Sequence, residues 1–208
     1  MSNVNVHRTY HETGGVHKVI WEVCGVFEKV GTHEQDGTLS KIEFRREDGT
    51  AEETRYFNGD GIIGYVNHFR PDGRTLERRG YYRDDILDVI EYFDSEGAGI
   101  EQITQLRLDG SAEHAQIYDK DGELERIDRY NTTGDVVSAE YYEPGLILDR
   151  IEYLNIEGGI NRIEHYREDE TLEQIKFYYE SGKLKRTEVY NEDEMLVQVI
   201  YAEEANRE

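Results

Sequence analysis

Forty-six carboxylates, seven histidines and one cysteine are the side chains of this 208-residue chain that could do chemistry. A nucleophilic cysteine needs a base within hydrogen-bond range and a group that orients the base. Cys24 stands in Trp-Glu-Val-Cys-Gly-Val-Phe, which has the composition of an apolar strand, so it reads as a buried structural thiol. The histidines are His7, His11, His17, His33, His68, His114 and His165. The first three cluster, but a metal needs a convergent set at fixed spacing, and solvated or edge histidines are the expectation. Asp119-Lys-Asp121-Gly122-Glu123 has calcium-binding residue types. Its glycine is misplaced for a helix–loop–helix site, so it reads as a turn with solvated aspartates. Paired carboxylates could cleave glycosides, yet among so many acids a pair carries no information. No Gly-Lys-Ser/Thr follows any glycine, as a phosphate-binding loop would require. No catalytic group, metal or cofactor is expected.

Charge is more informative. The formal net charge is −22, from 24 Lys plus Arg against 46 Asp plus Glu. It disfavours direct contact with nucleic acid or an anionic membrane and favours a basic partner. Aromatics (16 Tyr, 6 Phe, 1 Trp) recur at regular positions, which argues for order over an acidic disordered tail. A single cysteine, no secretory signal and no long apolar run lead to the expectation of a soluble, cytoplasmic protein.

The elements that would position these charges follow from a repeat. Gly or an acidic turn residue stands at 37, 49, 61, 73, 85, 97, 110, 122, 134, 145, 158, 170, 182 and 194, at steps of eleven to thirteen residues. Several of these are Asp-Gly, a hairpin pair because glycine, and to a lesser degree aspartate, accepts positive φ. The turns are separated by seven to nine residues rich in Ile, Val, Thr, Tyr and Phe, of strand composition and length. A helix is excluded by length, since twelve residues with a turn leave barely two helical turns. Each period is therefore one strand plus one turn. The expected fold is all-β: an antiparallel meander of about 14–16 strands in a single twisted sheet, its aromatics stacking across strands. A closed barrel or a two-sheet sandwich is the rival. Residues 1–35 read as an N-terminal hairpin and an irregular lead-in where Gly25 and Gly31 break the rhythm, 36–201 as the repeat domain, and 202–208 as a frayed tail.

Tyr118-Asp-Lys-Asp-Gly122-Glu-Leu124-Glu-Arg-Ile127 and Tyr179-Glu-Ser-Gly182-Lys-Leu184 resemble the tyrosine–aspartate repeats of bacterial toxin shells and the MORN-type repeats of some antitoxin and immunity proteins. Phe44-Arg-Arg-Glu-Asp-Gly49-Thr resembles the extended β-sheet domain of accessory-secretion glycosyltransferases. The chain lacks the nucleotide-sugar domain of those enzymes and is too short to enclose a toxin. The resemblance implies a β-repeat scaffold used for binding.

In a meander, successive turns alternate between two long edges, so turn acids fall into rows. The expected partner-binding acids are Asp84, Asp85, Asp119, Asp121, Glu123, Glu168, Asp169, Glu170, Glu192, Asp193 and Glu194. Residues 1–104 sum to −8 and residues 105–208 to −14. The expected function is that of a non-enzymatic acidic inhibitor occupying the site of a basic, nucleic-acid-binding protein such as a nuclease, as a phage anti-defence protein does in its host's cytoplasm. Two alternatives stay open: an immunity protein capping a toxin, and a peptide- or glycoprotein-binding add-on of a glycosyltransferase that uses the tyrosine face. Sheet edges leave a route to homo-oligomers.

Overall fold

The computed structural model describes residues 4–24 and 26–202, and every regular element in it is a β-strand. The expected tail is described only at Ala202, and Gly25 lies outside the described residues. Among the described residues no helix is long and apolar enough to cross a membrane. The chain divides into two units, residues 1–110 and 111–208.

The first unit contains β1 (Val4–Tyr10), β2 (Val16–Val23), β3 (Val26–His33), β4 (Leu39–Arg45), β5 (Ala51–Phe57), β6 (Ile63–Phe69), β7 (Leu76–Arg83), β8 (Ile86–Phe93) and β9 (Ile100–Leu106). The second contains β10 (Ala112–Tyr118), β11 (Leu124–Tyr130), β12 (Val136–Glu143), β13 (Ile147–Leu154), β14 (Ile160–Tyr166), β15 (Leu172–Tyr178), β16 (Leu184–Tyr190) and β17 (Leu196–Tyr201). Within each unit every strand pairs antiparallel with its neighbours in sequence and contacts no other strand. Neither unit is a barrel or a sandwich.

The described residues form seventeen strands, above the expected range. Gly31 explains part of the difference. It lies inside β3, opposite Val19, and a Cβ there would meet the Trp21 ring at 3.2 Å. This glycine makes room for an indole and breaks no strand.

The turns also differ from the expected Asp-Gly pairs. In the turn at 34–38, Gly37 donates to the Glu34 carbonyl at 3.0 Å and Glu34 donates to the Thr38 carbonyl at 2.9 Å. Only the glycine has positive φ; Asp36 does not. This is a three-residue loop closed by a bulge, and the register shifts between Thr32 and His33 as it begins. The aspartate serves as an acceptor instead, taking the Thr38 N–H at 2.9 Å. The same frame recurs along both units. Glu170 and Glu194 occupy the left-handed position in place of glycine.

Turns 70–75 and 94–99 are one residue longer than this frame, and three further hairpins, at intervals of sixty residues, lack it altogether. Val23 pairs with Val26, Arg83 with Ile86, and Glu143 with Ile147 across loops of two or three residues, and the flanking strands lengthen to eight residues. Asp84 and Asp85 both have positive φ, the geometry of a tight primed turn.

Little is deeply buried. Among the described residues the buried apolar side chains are Val19, Val66, Ala115 and Ala139, and no large side chain is fully enclosed. Rings and arginines share the sheet faces instead. Tyr141 opposes Arg150, Tyr153 opposes Arg162 and Phe177 opposes Arg186, with each guanidinium 3.8–4.0 Å from the ring centre. Each arginine also bonds the glutamate two residues on: Glu152, Glu164 or Glu188. Tyr56 and Tyr65 stack at 4.3 Å, the expected aromatic pairing; arginine takes that place in the three pairs above.

Candidate functional site

The second unit sorts its turns onto two edges. Turns 119–123, 144–146, 167–171 and 191–195 lie on one edge, because each is followed by two strand reversals before the next. Turns 131–135, 155–159 and 179–183 lie on the other. The first edge carries Asp119, Asp121, Glu123, Glu143, Glu168, Asp169, Glu170, Glu192, Asp193 and Glu194, against the cations Lys120 and Arg167. Among the described residues the second carries only Asp135, Glu157 and Glu180, against Lys183. Nine of the eleven expected acids therefore share one edge of one unit. Glu143 belongs with them; it stands at a hairpin off the regular frame, which is why the rhythm did not mark it. Asp84 and Asp85 sit at the β7–β8 turn of the first unit, both exposed, on the edge that also carries turns 11–15, 34–38 and 58–62.

Some of these acids also build the turns they occupy. Asp119 accepts the N–H groups of Asp121 and Glu123, each at 2.9 Å. Asp169 accepts the Thr171 N–H at 3.1 Å and its hydroxyl at 2.6 Å. Glu194 reaches from its own turn to accept the Leu172 N–H of the adjacent same-edge turn at 3.0 Å. Arg167 braces the same two turns, donating to the Tyr190 carbonyl at 2.5 Å and the Leu172 carbonyl at 2.7 Å. Donated hydrogen bonds hold the Asp119 and Asp169 carboxyls below the usual range, from the Glu123 N–H first in one case and the Thr171 hydroxyl first in the other. They stay ionised well into acid. Asp121, Glu123, Glu168, Glu192 and Asp193 are exposed.

Asp72 shows the same chemistry most strongly. Its carboxylate accepts the Thr75 hydroxyl and the Arg74 and Thr75 N–H groups, which bring its pKa down to about 2. A carboxyl depressed in the folded state stabilises the fold above its unfolded pKa, and that contribution disappears as pH falls through the folded value. Resistance to urea should therefore drop between about pH 4 and pH 2. Asp72→Asn, which keeps an acceptor but does not titrate, should flatten that drop. Urea midpoints of both proteins across the range check it.

The other candidates resolve differently. Cys24 is exposed, with φ +53, in the tight turn between β2 and β3. The expectation of a buried thiol is corrected: the apolar run around it is split by a hairpin, so its flanks are strands and Cys24 is their tip. His11 and His17 rings approach to 4.4 Å, and His11 Nε2 lies 3.0 Å from the His33 carbonyl oxygen. Among the described residues no group of three His, Cys, Asp or Glu is placed to hold a metal ion.

No family model matches the chain, and no curated protein matches it. Solved structures match in part. The accessory secretory protein 1, 2 and 3 structure from Streptococcus pneumoniae is 14% identical over 48% of this chain and 18% of that one, with a TM-score of 0.38. The GtfA/B complex bound to UDP and GlcNAc is 17% identical over 47% and 21%, with a TM-score of 0.39. The Gap123 glycosylation-associated complex from Streptococcus agalactiae is 16% identical over 55% and 19%, with a TM-score of 0.32. The chain spans about a fifth of the length of these structures. The matches include the accessory-secretion proteins that Phe44–Thr50 resembles; they lend nothing to the MORN-type likeness.

Proposed function

We propose that this protein is a non-enzymatic, acidic binding scaffold that occupies the nucleic-acid site of a basic protein and so inhibits it. The observation that carries this reading is the lopsided second unit, with ten carboxylates on one edge and three on the other among the described residues. Same-edge turns are two strands apart, about 10 Å, so that edge presents about one carboxylate every 3 to 4 Å. Along the axis of a DNA duplex, one strand contributes a phosphate about every 3.4 Å. Hydrogen bonds within the turns fix several of these charges before a partner arrives, which lowers the ordering cost of binding. The tyrosine-face alternative draws less support, because Tyr141, Tyr153 and Phe177 are already covered by arginines.

The test has two steps. Proteins captured on the immobilised chain at 50 mM salt should elute at 500 mM salt. Each should then lose its grip on a labelled DNA duplex when this protein is added at low salt, read by fluorescence anisotropy. Capture indifferent to salt, or captured proteins that hold the duplex undiminished, would overturn the reading.

A further inference from the structure

A second surface lies on the last strand of the second unit. Strand β17 reads Leu196-Val-Gln-Val-Ile-Tyr201, with no charge in a chain of −22. All six residues are exposed, the five apolar ones from Val199 at 38% to Tyr201 at 71%. Among the described residues its only partner strand is β16. Ala202 N–H bonds the Lys185 carbonyl at 3.2 Å, which sets the alternation: Gln198, Ile200 and Ala202 turn their backbone groups toward β16. Val197, Val199 and Tyr201 therefore direct three N–H and three C=O groups outward from the edge.

We infer that this edge is a self-association site at which β17 of one molecule pairs antiparallel with β17 of a second copy about a two-fold axis at Val199. The register follows from the residues. Val199 then faces Val199 of the other copy, and Val197 faces Tyr201, a β-branched residue against an aromatic. Leu196 meets Ala202, and the two acidic turns at 191–195 are carried to opposite ends of the new ladder. Glu203 and Glu204 follow in the sequence, and continuing past Ala202 would set Glu204 against Glu194 of the other copy. The ladder ends there for that reason. Strand β1, by contrast, carries His7 and Arg8, and a charge on an edge strand discourages such pairing. The occupant is a second copy because, among the described residues, this uncharged edge strand lets two chains of −22 meet without setting like charges face to face. Six residues a side make a small interface, so association is weak, on the order of 10 µM or above. It strengthens with salt, since salt screens the repulsion between the two molecules. Binding of a basic partner at the acidic edge weakens with salt, so the two readings succeed or fail separately.

Sedimentation equilibrium of the whole chain from 1 to 300 µM, at 50 and 500 mM salt, tests this. The expected result is a monomer–dimer equilibrium that is tighter at 500 mM. Val199→Lys, which puts two ammonium groups face to face on the axis, should raise the dimer dissociation constant at least tenfold. Cys24→Ser/Val199→Cys should crosslink to itself on mild oxidation, because a hydrogen-bonded antiparallel pair holds its Cα atoms about 5.5 Å apart. A chain that stays monomeric at 300 µM, or a dimer that survives Val199→Lys without self-crosslinking, overturns the inference. So does an oligomer lost on Val6→Lys in β1, which would mean that β1 forms the contact. If Val199→Lys does not fold, the crosslink decides.

Discussion

Replacing Gly73 by alanine should destabilise the first unit by about 2 to 4 kcal/mol, the sum of a left-handed backbone and a steric clash. Gly73 has φ +69, and a Cβ there would meet the Thr50 Cβ at 2.6 Å and the Ala51 backbone nitrogen at 2.7 Å. Turns 46–50 and 70–75 share an edge of that unit and touch at this point. They cannot easily part, because the Arg46 guanidinium bonds the Phe69 carbonyl at 2.7 Å and the Ala51 carbonyl at 2.5 Å. Gly122 supplies the comparison. Its φ is +82, but a Cβ there meets nothing within 4 Å. Gly122→Ala should cost only the backbone part, about 1 to 2 kcal/mol. Urea denaturation of the two variants separates the contributions. Equal losses would mean that the neighbouring turns do not pack as described.

Removing charge from the acidic edge of the second unit should weaken binding of a basic partner by about a hundredfold at 50 mM salt. The variant is Asp121→Asn, Glu123→Gln, Glu168→Gln, Glu192→Gln and Asp193→Asn. It leaves alone Asp119, Asp169 and Glu194, which accept backbone N–H groups, and Glu170, whose φ is +63. Stability should hold or rise slightly, since like charges are being removed from a chain at −22. The slope of log affinity against log salt should flatten together with the affinity. Glu157→Gln with Glu180→Gln, on the opposite edge of the same unit, should change affinity by less than about threefold. Titration calorimetry at several salt concentrations gives both quantities, and equal losses in the two variants would refute a specific edge.

Much of the fold was legible because it is local. A turn every twelve residues leaves room for one strand, and even Asp85, Glu170 and Glu194, which lack glycine's freedom, were placed by the rhythm and do have positive φ. What escaped depended on partners distant in sequence. Gly31 reads as a breaker until Trp21 is placed over it. The aromatic positions suggest ring stacks until the register sets Arg150, Arg162 and Arg186 opposite them. Arg46 and Arg167 brace carbonyls 23 residues away, from one turn to the next on the same edge, and nothing near them in sequence announces it. The acids themselves were legible, and so were two rows. The imbalance between the two edges of the second unit required assigning each turn to its side.

That every strand touches only its neighbours in sequence also bears on how the molecule forms and changes. Contacts that close over about a dozen residues cost little loop entropy, so any hairpin can start the folding of its unit and the rest can add on either side. No shared interior has to be rebuilt when a strand pair of about 24 residues is gained or lost. Lineages of such chains are free to vary in length by whole hairpins, and every added pair contributes one more turn to each edge.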